Sequence, residues 1–250
     1  MTISSAAYLT VIREAIERVG SGQPERLAAA AEILASAVAK GGVIQAFGCG
    51  HSEALAMEIA GRAGGLVASN RLALRDIVHY GGDPATVLAD PSLERDPTVA
   101  RRIYDLAPVG PDDAFVIASN SGVNGAIVEM ALVVKEAGHP LVAITSVAHS
   151  AGVDSRHPSG KKLGDLADVV LDNGAPYGDA ALPLPGGGSI GAVSSITAAL
   201  LAQQLVADVV ARLLDAGITP PVYLSDNVPG GREHNNQLEA RYAGRIRRTA

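Results

Sequence analysis

Two short stretches concentrate the side chains that can do chemistry. Gly48-Cys49-Gly50-His51-Ser52 follows one apolar run, and Ser119-Asn120-Ser121-Gly122-Val123-Asn124 follows another. Glycine lets the backbone approach a ligand closely, and a helix N-terminus offers unpaired N–H groups and the positive end of a dipole. Hydroxyls and amides add hydrogen bonds without a buried charge to neutralise. One such loop alone would be an N-cap and a tight turn; two aimed at a single crevice describe a cradle for a phosphate. A third run ends in Thr145-Ser146, with Ser150 close behind.

Rival motifs fit less well. Gly48-Cys49-Gly50 opens like a dinucleotide fingerprint, but Glu53 stands at the third glycine position, and Ser69-Asn70 stands where a ribose-binding acid belongs. Ser159-Gly160-Lys161-Lys162 lacks the upstream glycine and the following hydroxyl of a P-loop, and no Gly-x-Ser-x-Gly elbow is present. The single cysteine, Cys49, makes no internal disulfide and leaves no cysteine-based zinc site, and the six histidines contain no HxxxH pair. Neither a metal nor a cofactor is expected. The ligand class that remains is a small phosphorylated metabolite.

The elements that must hold these loops follow from hydrophobic periodicity. Tyr8, Ile12, Ile16 and Val19 recur on one face of a helix over Ser5–Val19, and Leu27, Ala31, Leu34 and Val38 repeat the stripe after Pro24, up to Gly41-Gly42. Near-continuous apolar runs at Val43–Phe47, Leu66–Ser69, Ala114–Ser119, Leu141–Ser146 and Val169–Asp172 read as parallel strands covered on both faces. Helical stretches near Glu53–Ala63, Val99–Leu106 and Ile127–Ala137 alternate with them, the rhythm of a doubly wound α/β sheet. In such sheets the ligand crevice lies at the carboxyl ends of the strands, where both loops fall. Asn70–Asp96 and Ser146–Leu163 are polar excursions, the first long enough to act as a lid. Ser194–Asp215 reads as a long helix, apolar on most faces and therefore buried, which at the end of a compact domain points to a subunit interface.

Composition bounds the partners. Twenty Lys and Arg against 26 Asp and Glu give a net charge of −6, which argues against a nucleic-acid backbone as ligand. With aromatics at 3% and no Trp, stacking platforms for bases or sugar rings are scarce, so a bound sugar must be held by polar groups. No apolar run of membrane-spanning length was found, and Arg13 and Glu14 interrupt the stretch where a signal peptide would be apolar, so a cytoplasmic protein without membrane contact is expected.

The two loops and the order of elements resemble the sugar isomerase (SIS) domain of phosphosugar-binding proteins, over roughly residues 1–218. GHS at Gly50–Ser52, SNSG at Ser119–Gly122, SRHPSGKKL at Ser155–Leu163, DNGAPYGDA at Asp172–Ala180 and NVPGGREHN at Asn227–Asn235 resemble a single-domain subgroup similar to N-acetylglucosamine-6-phosphate dehydratases. The resemblance implies a flavodoxin-like five-stranded parallel sheet in the order 2-1-3-4-5 with helices on both faces. It also implies one SIS domain over residues 1–218, a tail over 219–250 that reaches a neighbouring subunit, and homo-oligomers with sites at their interfaces. By the same likeness Ser52 contacts the sugar, while Ser119, Asn120, Ser121 and Asn124 hold its phosphate, with Ser146 from the next loop.

The implied chemistry begins with an open-chain sugar whose C1 carbonyl acidifies the C2 proton; a carboxylate removes it and polar donors stabilise the enediolate. Loss of the C3 hydroxyl then gives a dehydratase; reprotonation at C1 gives an aldose–ketose isomerase; binding without turnover gives a phosphosugar sensor. Glu58, set among apolar neighbours and matching the subgroup's Glu-x-x-x-Arg-Ala-Gly-Gly stretch, is the candidate base, although an (i, i+4) pair with Arg62 would account for it structurally. His51 is the candidate for opening the ring, and His234 for entering the site from a neighbour.

Overall fold

The computed structural model describes residues 3–248. Two helices lead, α1 (Ser5–Ser21), whose first turn is capped by the Ser4 hydroxyl, and α2 (Pro24–Ala39), with proline in its first turn. The sheet elements then alternate with helices: β1 (Ile44–Gly48), α3 (Glu53–Ile59), β2 (Ser69–Leu72), α4 (Asp76–His79), α5 (Thr98–Leu106), β3 (Ala114–Ala118), α6 (Gly125–Glu136), β4 (Leu141–Thr145), α7 (Val147–Ala151), α8 (Leu163–Leu166) and β5 (Val169–Asp172). A hairpin, β6 (Ala180–Pro183) and β7 (Ser189–Ala192), precedes the long α9 (Ser194–Asp215), and α10 (Gly231–Ala240) follows.

The sheet is parallel in the order β2-β1-β3-β4-β5, so the strand order reverses between β1 and β3. Strand residues alternate between two apolar layers. Ile44, Ala46, Val116 and Ile144 pack with α2, α3 and α9, while Phe47, Phe115, Ile117 and Ala143 pack with α5 and α6. Phe47 and Phe115 are fully buried, and truncating either to alanine is expected to cost about 3–5 kcal/mol. Helix α9 is long and apolar enough to span a bilayer by length and composition alone, a test that the core helix of a globular domain also passes. Leu201, Leu205, Val209 and Leu213 bury one of its faces against the same layer, the placement of a core helix.

The second strand differs from the expectation of Leu66–Ser69: β2 begins at Ser69, which pairs with Ile44. Leu66 instead bridges antiparallel to Val222, and Val67 N–H donates to the Pro221 carbonyl at 2.7 Å. What allows the polar Ser69 and Asn70 into a buried strand is long-range pairing. The Ser69 hydroxyl donates to the Leu66 carbonyl, and the Asn70 side chain is gripped by the Arg245 carbonyl and the Arg247 N–H, both at 2.7 Å. The described part of the expected tail therefore packs along the sheet edge of its own chain. Arg245 also reaches Asp113, which has no exposed surface and accepts from Val43 N–H, Gln45 and Gly110 N–H as well. Helix α3 is shorter than expected, because Ala60 is extended and Gly61 follows at φ +77°.

Candidate active site

At the carboxyl ends of β1 and β3, where the strand order reverses, lies a cavity of ≈ 120 Å³. Its walls carry His51 and Ser52 from the 3₁₀ turn after β1, Glu58 from α3, and Ser119 and Asn120 from the loop after β3. Five of the nine residues singled out from the sequence thus meet in one place. Among the described residues neither lysine nor arginine lines it, so its polar lining consists of hydroxyls, amides, one imidazole and one carboxylate.

The second loop is interlocked. Ser119 Oγ accepts the Gly122 N–H at 3.1 Å, which leaves its O–H to donate elsewhere. Asn173, just past β5, accepts the Ala175 N–H on Oδ1, so its Nδ2 must be the donor that reaches Asn120 Oδ1 at 3.1 Å. Asn120 Nδ2 consequently faces His149 Nδ1 at 3.2 Å, and the imidazole lies 5.2 Å from the Tyr177 ring. One Nδ2 hydrogen of Asn120 remains for a ligand.

Glu58 is partly buried. Its Oε1 accepts from Gln203 Nε2 at 2.6 Å and forms an ion pair with Arg62, so the (i, i+4) pair and the cavity position coexist. His51 is exposed, and among the described residues neither His51 nor Ser52 has a side-chain hydrogen-bond partner. Cys49, beside them, is buried; burial, reinforced by Glu94 and Glu53, pushes its thiol far up, against thiolate chemistry.

The remaining sequence candidates lie elsewhere. Ser146 is fully buried, does not line this cavity, accepts the His149 N–H at 2.9 Å as the cap of α7 and donates to the Ala175 carbonyl at 2.7 Å. Ser121 and Asn124 do not line the cavity, and Asn124 donates to Glu94 Oε1 at 2.9 Å while accepting from Arg156. His234 lies on α10 with Nε2 3.0 Å from the Val222 carbonyl, apart from this cavity. Among the described residues no three His, Cys, Asp or Glu side chains cluster as a metal would require.

Sequence reasoning missed Asn173, Ser194 and Ser195, which complete the polar part of the lining. Asn173 follows directly on the fifth strand, so the rule that ligands gather at strand carboxyl ends could have found it. Ser194 opens α9, where the Asp179 carboxylate caps its N–H at 2.8 Å and accepts its hydroxyl at 2.8 Å.

A family model described as SIS domain matches residues 7–146. A UPF0309 protein of Listeria monocytogenes is 39% identical over 238 residues, covering 94% of this chain and 95% of the relative. A phosphoheptose isomerase from Neisseria gonorrhoeae aligns with a TM-score of 0.54 at 20% identity, covering 82% of this chain and 96% of the other. One from Francisella tularensis aligns with a TM-score of 0.56 at 15% identity, covering 82% and 95%. At those identities the two structures speak to the fold.

Proposed function

The chain belongs to the SIS-domain family, and from that premise we propose that it is an enzyme acting on an amino-sugar 6-phosphate through proton abstraction at C2. Glu58 is the base, and the observation that carries the reading is that Glu58, His51, Ser52, Ser119 and Asn120 line a single cavity at the strand-order reversal. His51 moves the proton between ring oxygen and C1 hydroxyl as the ring opens. The Ser119 hydroxyl and the fixed Asn120 amide donate to the oxygens of the bound sugar phosphate. Ser121 and Asn124 receive the phosphate at the start of α6 once Asn124 releases Glu94. The active form is a homo-oligomer in which His234 enters a neighbouring copy's site.

N-acetylglucosamine 6-phosphate is the substrate that best suits elimination. While its nitrogen stays acylated, C2 cannot readily become a ketone, so electrons freed at C2 expel the C3 hydroxyl. The C2 proton and the C3 hydroxide leave as water, and a C2–C3 double bond remains. Aldose–ketose isomerisation is the second reading, favoured by the phosphoheptose isomerases among the structural neighbours, and it uses the same first step.

Proton NMR of the protein with N-acetylglucosamine 6-phosphate in deuterated water tests both. Loss of the C2 signal with a new vinylic signal is the expected result. C2 exchange without a vinylic product moves the assignment to isomerisation of a different sugar phosphate. Binding without any exchange overturns the enzyme in favour of a sensor.

A further inference from the structure

A second cavity, of ≈ 230 Å³, flanks the same helix that carries Glu58. Met57 on α3 forms one wall, Arg71 of β2 and Tyr80 another, and Arg247 and Arg248 close it from the C-terminal segment. The two cavities are chemical opposites. The first holds one carboxylate and no lysine or arginine, whereas three guanidinium groups and no carboxylate line the second.

Arg247 stands with its guanidinium carbon 3.7 Å above the Tyr80 ring, and one of its terminal nitrogens donates to the Leu106 carbonyl. Its other terminal nitrogen, Nη1, is buried with no hydrogen-bond partner among the described residues. Stranding a charged donor away from water is costly, and an acceptor brought into the cavity would remove that cost. Arg248 spends its N–H groups on the Val67, Ser69 and Arg247 carbonyls and the Tyr223 hydroxyl, with Glu239 3.7 Å away, so it closes the wall rather than offering open donors. Arg71 lies 3.9 Å from Glu53, a carboxylate that Arg75 also meets at 2.6 Å. Three carboxylates stand behind these groups without lining the cavity: Asp76, buried beside Arg71 and Arg247, Glu53 beside Arg71, and Glu239, 3.7 Å from Arg248.

We propose that this cavity is an anion site that takes a phosphate group, free or as a monoester of a small metabolite, separately from the sugar cavity. Guanidinium groups match phosphate oxygens in bidentate geometry, and Tyr80 supplies a further hydroxyl. Met57 lines this cavity and its neighbour Glu58 lines the other, so occupancy of one bears on the helix that positions the other. Binding at Arg247 stands independently of the proposed enzyme; only its effect on turnover rests on that reading.

The test follows the Tyr80 ring signals of the full chain by NMR during titration with inorganic phosphate, with glucose 6-phosphate as a second arm. Saturable shifts are expected in the wild type and in Ser119→Ala, with affinity falling about tenfold or more in Arg247→Gln. Arg247→Lys keeps the charge and guards against a folding defect; it is expected to bind more weakly than wild type and more tightly than Arg247→Gln. Tighter binding of the monoester identifies a metabolite as the source, and equal binding identifies free phosphate. Shifts that rise linearly without saturating, or that persist unchanged in Arg247→Gln, overturn the proposal. If Tyr80 responds but no sugar turnover is ever found, the anion site stands and the enzyme reading alone fails.

Discussion

The loops after β1 and β3 look alike in sequence, each mixing glycine with hydroxyl or amide side chains at the start of a helix, yet the chain holds them in opposite ways. In the second, Ser119, Asn120 and Asn124 are all tied by side-chain hydrogen bonds, and Asn120 sits in a chain that runs from the Ala175 N–H through Asn173 to His149. In the first, His51 and Ser52 have no such partners among the described residues. A pre-set loop places donors at little entropic cost on binding, whereas a loop with free side chains can follow a proton from one oxygen to another. Under the proposed function the second loop binds and the first moves the proton, with Glu58 lining the same cavity from α3.

That division can be broken by measurement. The largest effect is expected for Glu58→Gln, which should lower turnover by about 10²–10⁴-fold while phosphosugar affinity in calorimetry stays near wild type. Its Arg62 pair is partly exposed, so the loss of the ion pair should be a minor contribution to stability. Unchanged turnover removes Glu58 from the mechanism. Next, Asn173→Ala leaves Asn120 Oδ1 without its donor and should cost about 1–3 kcal/mol in denaturant unfolding, with a matching loss of ligand affinity. Ser119→Ala should weaken phosphosugar binding by about tenfold, or 1.4 kcal/mol, with the fold intact.

Smaller effects sharpen the contrast. Ser146→Ala removes a helix cap and should lower stability by about 1 kcal/mol without touching affinity; a drop in affinity would show that the hydroxyl reaches the ligand after all. His51→Ala should leave the unfolding free energy within about 0.5 kcal/mol, because among the described residues that exposed imidazole has no hydrogen-bond partner, and reduce only turnover. A stability loss as large as that of Asn173→Ala would erase the distinction between the loops.

Much of the fold was legible because its signals are local. β1, β3, β4 and β5 fall within a residue of the apolar runs that announce them; the first three are buried along their whole length, and β5, at the sheet edge, is only partly buried yet still reads as a short apolar run. β2 was placed three residues early because Ser69, Asn70 and Arg71 look unlike a central strand. What makes Asn70 acceptable is pairing with residues 245 and 247, some 175 positions away, which no local window sees. The β6–β7 hairpin had a readable sign in Gly186-Gly187-Gly188, the flexible tip between two short runs. In the site, Ser146 and Ser119 are indistinguishable as residue types at the ends of adjacent strands. Only the Ala175 carbonyl, delivered from beyond β5, decides that Ser146 is a cap and Ser119 remains open.

The contact between Asp113 and Arg245 also sets a schedule. A carboxylate with no exposed surface is made 132 residues before the guanidinium that meets it, an interval of about 7–26 s at the usual pace of synthesis. Over that interval β3, β4 and β5 emerge and can join β1 and β2 without the counter-ion beneath them, or the backbone that grips Asn70 at the edge. A chaperone that shields the β2 edge would have its greatest effect on yield within that window, and a pause in translation before residue 245 would lengthen it.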